Sequence, residues 1–192
     1  MKIAYLIPAA VLLLTGCGKE QEDTGKIKPS GDIAQFRELH DGDERQLVMR
    51  YESSIGFGLQ YECFTRVIDV YNDATVDVYG EAAEVPEEDN CRETISIGED
   101  GYEAIIDGIS ETGVDVMPKV ECDDQACDAG SAYMTFYDET GEYNSLGGYC
   151  VIDEKFEALV DIICENVPED ERISVYEAFE QVYADALFAE DE

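Results

Sequence analysis

The chain has 192 residues, and 46 Asp and Glu against 12 Lys and Arg give it a formal net charge of −34. So acidic a chain repels nucleic acid, which is held by Lys and Arg that displace phosphate counterions, and partners of that class are excluded. Yet 45% of the residues are hydrophobic, with 12 Tyr and 7 Phe, which is too apolar and aromatic for a disordered acidic tail and suits the core of one ordinary domain.

The N-terminus opens with Met1-Lys2 and an apolar run from Ile3 to Leu14 broken only by Pro8. That run is too short to cross about 30 Å of hydrocarbon and reads as a secretory leader. It ends in Leu14-Thr15-Gly16-Cys17, which resembles the lipobox of bacterial lipoproteins: a Leu three residues before the Cys, then two small residues. The resemblance implies that residues 1–16 are a signal peptide, that the Cys17 sulfur receives diacylglycerol, and that the new amino group takes a fatty acyl chain such as palmitate. Two or three chains on one residue anchor stably, where a single chain binds only reversibly. Gly18 in place of Asp favours the outer membrane by the sorting rule of Gram-negative lipoproteins.

Residues 17–45 read as a polar tether, with Gly25, Pro29, Ser30, Gly31 and the cluster Asp41-Gly42-Asp43-Glu44. Such a stretch buries too little apolar surface to offset the entropy of ordering it, although Ile33, Phe36 and Leu39 stand at the spacing of one amphipathic turn. Anionic lipid headgroups repel this chain, so the lipid holds it and the spacer keeps it clear.

Residues 46–192 read as a single acidic domain. Gln46 to Glu52 alternates, with Leu47, Met49 and Tyr51 on one side, and predicts a strand. After the glycines around Phe57, Tyr61 to Tyr71 and Thr75 to Tyr79 predict a hairpin about Asn72-Asp73-Ala74, where Ala74 occupies a position that a Gly would fill more easily. A short strand follows at Glu93 to Ile97. Tyr102, Ile105, Ile106 and Ile109 then recur at helical spacing, with Gly98 as N-cap and Gly113 as the stop. Beyond the acidic loop Glu121 to Asp128, Ala132 to Tyr137 and Glu142 to Cys150 predict a second hairpin. Asp153 caps a helix carrying Phe156, Leu159, Val160 and Ile163 on one stripe, ended by Pro168. A last helix opens with the capping box Ser174-Val175-Tyr176-Glu177 and carries Tyr176, Phe179, Tyr183 and Leu187 down one face.

Clustered hairpins with interposed and late helices indicate an α+β fold, an antiparallel sheet with two or three helices packed on one face. This order of elements, with the stretches Val67 to Gly80 and Gly98 to Pro118, resembles a family of bacterial envelope domains of unknown function over about Tyr51 to Val167. The resemblance implies neither an activity nor site residues.

With Cys17 assigned to lipid, Cys63, Cys91, Cys122, Cys127, Cys150 and Cys164 remain, an even set that in an exported chain implies up to about three disulfides. Cys122 and Cys127 are close enough in sequence to pair. Cys150 with Cys164 is disfavoured, because about 11 intervening helical residues span roughly 16 Å and disulfide-bonded Cα atoms lie within about 7 Å. Cys164 is thus expected to meet Cys63, Cys91 or the first hairpin across the sheet. Zinc is the competing reading, but the Cys122 to Cys127 spacing is long and no close second pair follows.

Catalytic signatures are sparse. The single His, His40, falls in the tether, so a His-based triad or a multi-His metal site is excluded. Neither a nucleophile elbow, a P-loop nor a dinucleotide fingerprint occurs. Chance pairs among so many acids carry no information, and the absence of Trp weighs against a sugar site. Calcium is the sharper ligand: Asp123, Asp124 and Asp128 offer hard oxygens in a tight loop, as do Asp41, Asp43 and Glu44, without matching an EF-hand, and solvated acidic loops are the plainer reading.

The sequence therefore leads to the expectation of a lipid-anchored, non-enzymatic envelope protein that acts as a binding or structural module with a protein partner. A calcium binder is the alternative and an envelope hydrolase a distant one. The acids fall mainly between core positions, so their mutual repulsion is screened by salt. The melting temperature should rise with NaCl from low ionic strength; a flat response would mean that the repulsion is already relieved within the fold.

Overall fold

The computed structural model describes residues 33–36, 45–56, 62–123, 125 and 129–189. The leader, Cys17, His40, Asp41, Asp43 and Glu44 lie outside them, as do Asp124, Cys127 and Asp128.

The domain is α+β, with strands β1 (Leu47–Ser54), β2 (Thr65–Tyr71), β3 (Thr75–Glu81), β4 (Glu93–Ser96), β5 (Ser131–Asp138) and β6 (Gly141–Tyr149). Its helices are α1 (Gly98–Thr112), α2 (Glu154–Asn166) and α3 (Glu169–Ala189). The strands form one six-stranded sheet in the order β4-β3-β2-β1-β5-β6 with every pair antiparallel. β1, distant in sequence from β5, joins the two hairpins.

Period-two alternation sorts the strand residues between two faces. On one face Met49, Ile68, Val70, Val76, Val78, Ile95, Met134 and Phe136 form a continuous core with Tyr102, Ile105, Ile106 and Ile109 of α1, Phe156, Leu159 and Ile163 of α2, and Val175 of α3. All three helices therefore cover the same face, as the pattern predicts.

Local chemistry fixes the junctions. Between β2 and β3, Ala74 adopts φ 59°, the left-handed conformation anticipated there. The Asp73 carboxylate accepts from the Thr75 amide at 3.1 Å, and Asn72 bonds Gln46 through both its backbone and its side chain. Gly113, at φ 64°, closes α1 by donating to Ile109 O at 2.9 Å. Asp153 caps α2 by accepting from the amides of Lys155 and Phe156.

Two expectations need correction. Helix α3 starts at Glu169, so Ser174 lies within its second turn and forms no capping box. Pro168 suits the entry to a helix, and Glu169, Asp170 and Glu171 favour its positive N-terminal end, which together outweigh the Ser174 signal. In addition, Ile33–Phe36 form a 3-10 turn whose Ile33 and Phe36 are buried in the core, with Tyr102 donating to Phe36 O at 2.7 Å. Part of the stretch read as tether is thus built into the domain.

Helix α3 is seated by shape. Phe179 packs over Gly80 of β3, where an added Cβ would stand 2.1 Å from the Phe179 ring. Around it, Phe64 meets Phe179 and Tyr183 edge-on, at centroid distances of 5.0 and 6.1 Å. Gly80→Ala should cost about 1–3 kcal/mol by overpacking, and Phe179→Ala about 3–5 kcal/mol by leaving a cavity. In urea unfolding the double variant should lose less than the sum, since the methyl enters the space the ring vacates.

Candidate functional site

The sheet face turned away from the helices is polar at its centre. The register places Arg50 beside Asp69, Asp69 beside Asp77 and Asp77 beside Thr94, and on the other side Arg50 beside Thr135 and Thr135 beside Ser145. One row of polar side chains therefore crosses all six strands.

At its middle two carboxylates, Asp69 and Asp77, stand directly opposite each other, each only 1% exposed. Like charges so placed repel, and buried charge needs partners. Three arginines supply them. Arg50 grips Asp69 with Nε at 2.7 Å and Nη2 at 3.0 Å, and Tyr79 donates its hydroxyl to the same carboxylate at 3.0 Å. Asp77 accepts from Arg45 at 2.6 Å, from the Thr94 hydroxyl at 2.7 Å and from Arg92 at 3.4 Å. Arg92 also stands 4.0 Å from Asp69 and so ties the two acids together.

Aromatic rings complete the arrangement. The Arg45 guanidinium lies 3.9 Å from the Tyr71 ring centroid, and that of Arg92 lies 3.8 Å from the Tyr79 centroid. Tyr79 itself is fully buried, whereas Arg45 and Arg92 keep about a third of their side chains exposed, at 34% and 35%. The acids and Tyr79 form the floor and the arginines the rim. Tyr137 is half-buried at one side of the row, and Tyr133 is exposed beyond it.

Protonation follows from this geometry. Burial pushes the Asp77 carboxyl up, but hydrogen bonds from Arg45 and Thr94 and the charges of Arg45 and Arg92 outweigh it and leave it below the usual carboxylate value. The hydrogen bond to Asp69 holds the Arg50 guanidinium more firmly protonated despite burial. Burial, then the adjacent Asp69 charge, pushes the Tyr79 phenol up. Each group is thereby fixed in its ordinary charge state. The Thr135 and Ser145 hydroxyls hydrogen-bond to each other at 3.0 Å. Such a surface is built to present arginines and tyrosines in fixed positions rather than to move protons.

Of the residues singled out from sequence, Asp123 uses its carboxylate to accept from the Gln125 amide at 2.9 Å, and its own amide donates to Cys150 O. Among the described residues no group of three or more His, Cys, Asp or Glu is arranged to hold a metal ion. The described cysteines separate into regions, and no two of their sulfurs are at bonding distance. Cys91 packs against the Phe64, Phe179 and Tyr183 cluster, and Cys63 adjoins Phe64. Cys164, half-buried on α2, lies within electrostatic reach of Arg172, Tyr51 and Tyr176, and burial pushes its thiol up. Cys122 pairs through its backbone with Val151, next to Cys150.

None of the network residues was a sequence candidate. Their signal is a charge inside a β-branched strand, repeated as Ile68-Asp69-Val70-Tyr71 and Val76-Asp77-Val78-Tyr79. Compared with protein-family models and with curated proteins, the chain matches none.

The lowered Asp77 carboxyl gives stability that is present above the ordinary Asp value, near pH 4, and is lost as pH falls through the folded-state value. Asp77→Asn should therefore be less stable than the natural protein at pH 7, with the gap in urea midpoint narrowing from about pH 4 down to about pH 2. A gap independent of pH would separate Asp77 from this account.

Proposed function

We propose that the protein is a lipid-anchored, non-enzymatic module of the bacterial cell envelope that binds a protein partner through the arginine- and tyrosine-bearing face of its sheet. The anchor rests on Leu14-Thr15-Gly16-Cys17 directly after the apolar leader. The observation that carries the binding reading is the network of Arg45, Arg50 and Arg92 over Asp69, Asp77 and Tyr79.

Physical reasons favour recognition there. Arg and Tyr are the side chains enriched where protein interfaces concentrate their binding energy. Here their geometry is set in advance by buried carboxylates, which lowers the entropy lost on binding. Three arginines against Asp69, Asp77 and the neighbouring Glu52 make this patch nearly neutral in a chain of net charge −34, so a partner meets least repulsion on it. Carboxylates committed to arginine are poor general bases, which supports the non-enzymatic reading.

Metabolic labelling with an alkyne palmitate analogue tests the anchor: the natural chain should be labelled and sediment with membranes, and Cys17→Ser should lose both properties. An unlabelled natural chain would contradict it. Cross-linking in the intact envelope tests the face: partner cross-links should map to the neighbourhood of Arg92, Tyr133 and Tyr137. Cross-links confined to α1 and α2 would contradict it.

A further inference from the structure

The long connection between α1 and β5 runs beside β6, an edge strand of the sheet. Asn144 of β6 donates to Asp115 O at 2.9 Å and to Met117 O at 3.0 Å, and the Tyr143 hydroxyl donates to the Asp115 carboxylate at 3.0 Å. Farther along, Cys122 forms an antiparallel bridge with Val151, closed by Asp123 N to Cys150 O and Ile152 N to Glu121 O, both 2.9 Å. The connection therefore shields an edge that would otherwise offer unpaired backbone groups to other chains.

We propose that Cys122 and Cys150 form a disulfide that clasps this connection to the end of β6. Three observations converge on the pair. The bridge makes their Cα atoms diagonal neighbours, which at a strand spacing of about 5 Å and a rise of about 3.4 Å puts them roughly 6 Å apart, within the disulfide range. The Cys122 sulfur lies 2.8 Å from where a Cβ on Gly148 would stand, so it occupies the space left by that glycine, two residues from Cys150. Cys150 holds φ 49°, a conformation that favours Gly, and a Cys kept at that backbone cost is explained by a bond that uses its sulfur.

Access is provided by a cleft of about 610 Å³ between α2 and β5, lined by Cys150 with Tyr51, Phe156 and Val160. The Cys150 thiolate attacks glutathione disulfide there, forming a mixed disulfide and releasing one glutathione thiolate. The Cys122 thiolate then attacks the Cys150 sulfur and releases the second. The two protons lost by the cysteines are taken up by the two glutathione thiolates, so two thiols are oxidised and one disulfide is reduced.

The proposal stands on these residues and not on the anchor or the partner-binding face. The test is peptide mapping of the full chain, reduced and then re-oxidised with glutathione disulfide, with remaining thiols blocked. Cleavage at acidic residues is needed, because trypsin leaves residues 120–155 in one piece. A Cys122 to Cys150 cross-link is expected; a Cys122 to Cys127 cross-link, or blocked thiols at Cys122 and Cys150, would overturn the proposal. As a second reading, reductant should lower the melting temperature of Cys127→Ser and leave that of Cys150→Ser and Cys122→Ser unchanged. The reverse pattern would overturn it equally.

Discussion

Two buried carboxylates placed side by side are the constraint around which the sheet is organised. Asp69 and Asp77 face each other from adjacent strands, and in a chain of net charge −34 no general excess of cations is available to neutralise them. Half of the chain's six arginines, Arg45, Arg50 and Arg92, are committed to them. These arginines come from the approach to β1, from β1 itself and from the approach to β4, so the network fastens three separate parts of the chain to the first hairpin. Replacing a well-made buried ion pair by apolar residues is often harmless, whereas removing one partner is costly. Once built, such a network is strongly held because its parts do not vary independently.

The same constraint divides the molecule by role. The helix-covered face supplies stability through ordinary apolar burial of Val, Ile, Met and aromatic side chains. The other face contributes order rather than burial, holding guanidinium groups over tyrosine rings at fixed height. This division gives the proposed module a rigid scaffold and a chemically distinct surface. The Ile33–Phe36 turn joins the helix-covered side, against Tyr102 of α1, so the chain that leads from the proposed anchor enters the domain away from the polar row.

How much was legible in the sequence follows from how local each signal is. Hairpins, the stop at Gly113 and the cap at Asp153 are written in neighbouring residues, and the fold class came from their order. The start of α3 was misread because a local capping pattern at Ser174 competed with Pro168 and the acidic first turn. Ile33 and Phe36 carried the spacing of a turn, but their burial depends on α1, more than sixty residues away. The polar row was hidden for the same reason: Arg50, Asp69, Asp77 and Thr94 are neighbours only after β1 to β4 are placed in register. A lone charge in a strand reads as an outward-facing residue. The repeated Asp-Val-Tyr pattern was the one local hint that two such charges share a face.

The most direct measurement is a double-mutant cycle on the pair that holds the centre of the row, using urea unfolding of the natural chain, Arg50→Met, Asp69→Leu and the combined variant. The account predicts that Asp69→Leu alone costs about 3–5 kcal/mol, because it strands a half-buried guanidinium, and that the combined variant loses clearly less than the sum of the two single losses. Losses that simply add would show that Arg50 and Asp69 do not act as a unit, and the sheet would then owe its order to the helix-covered face alone.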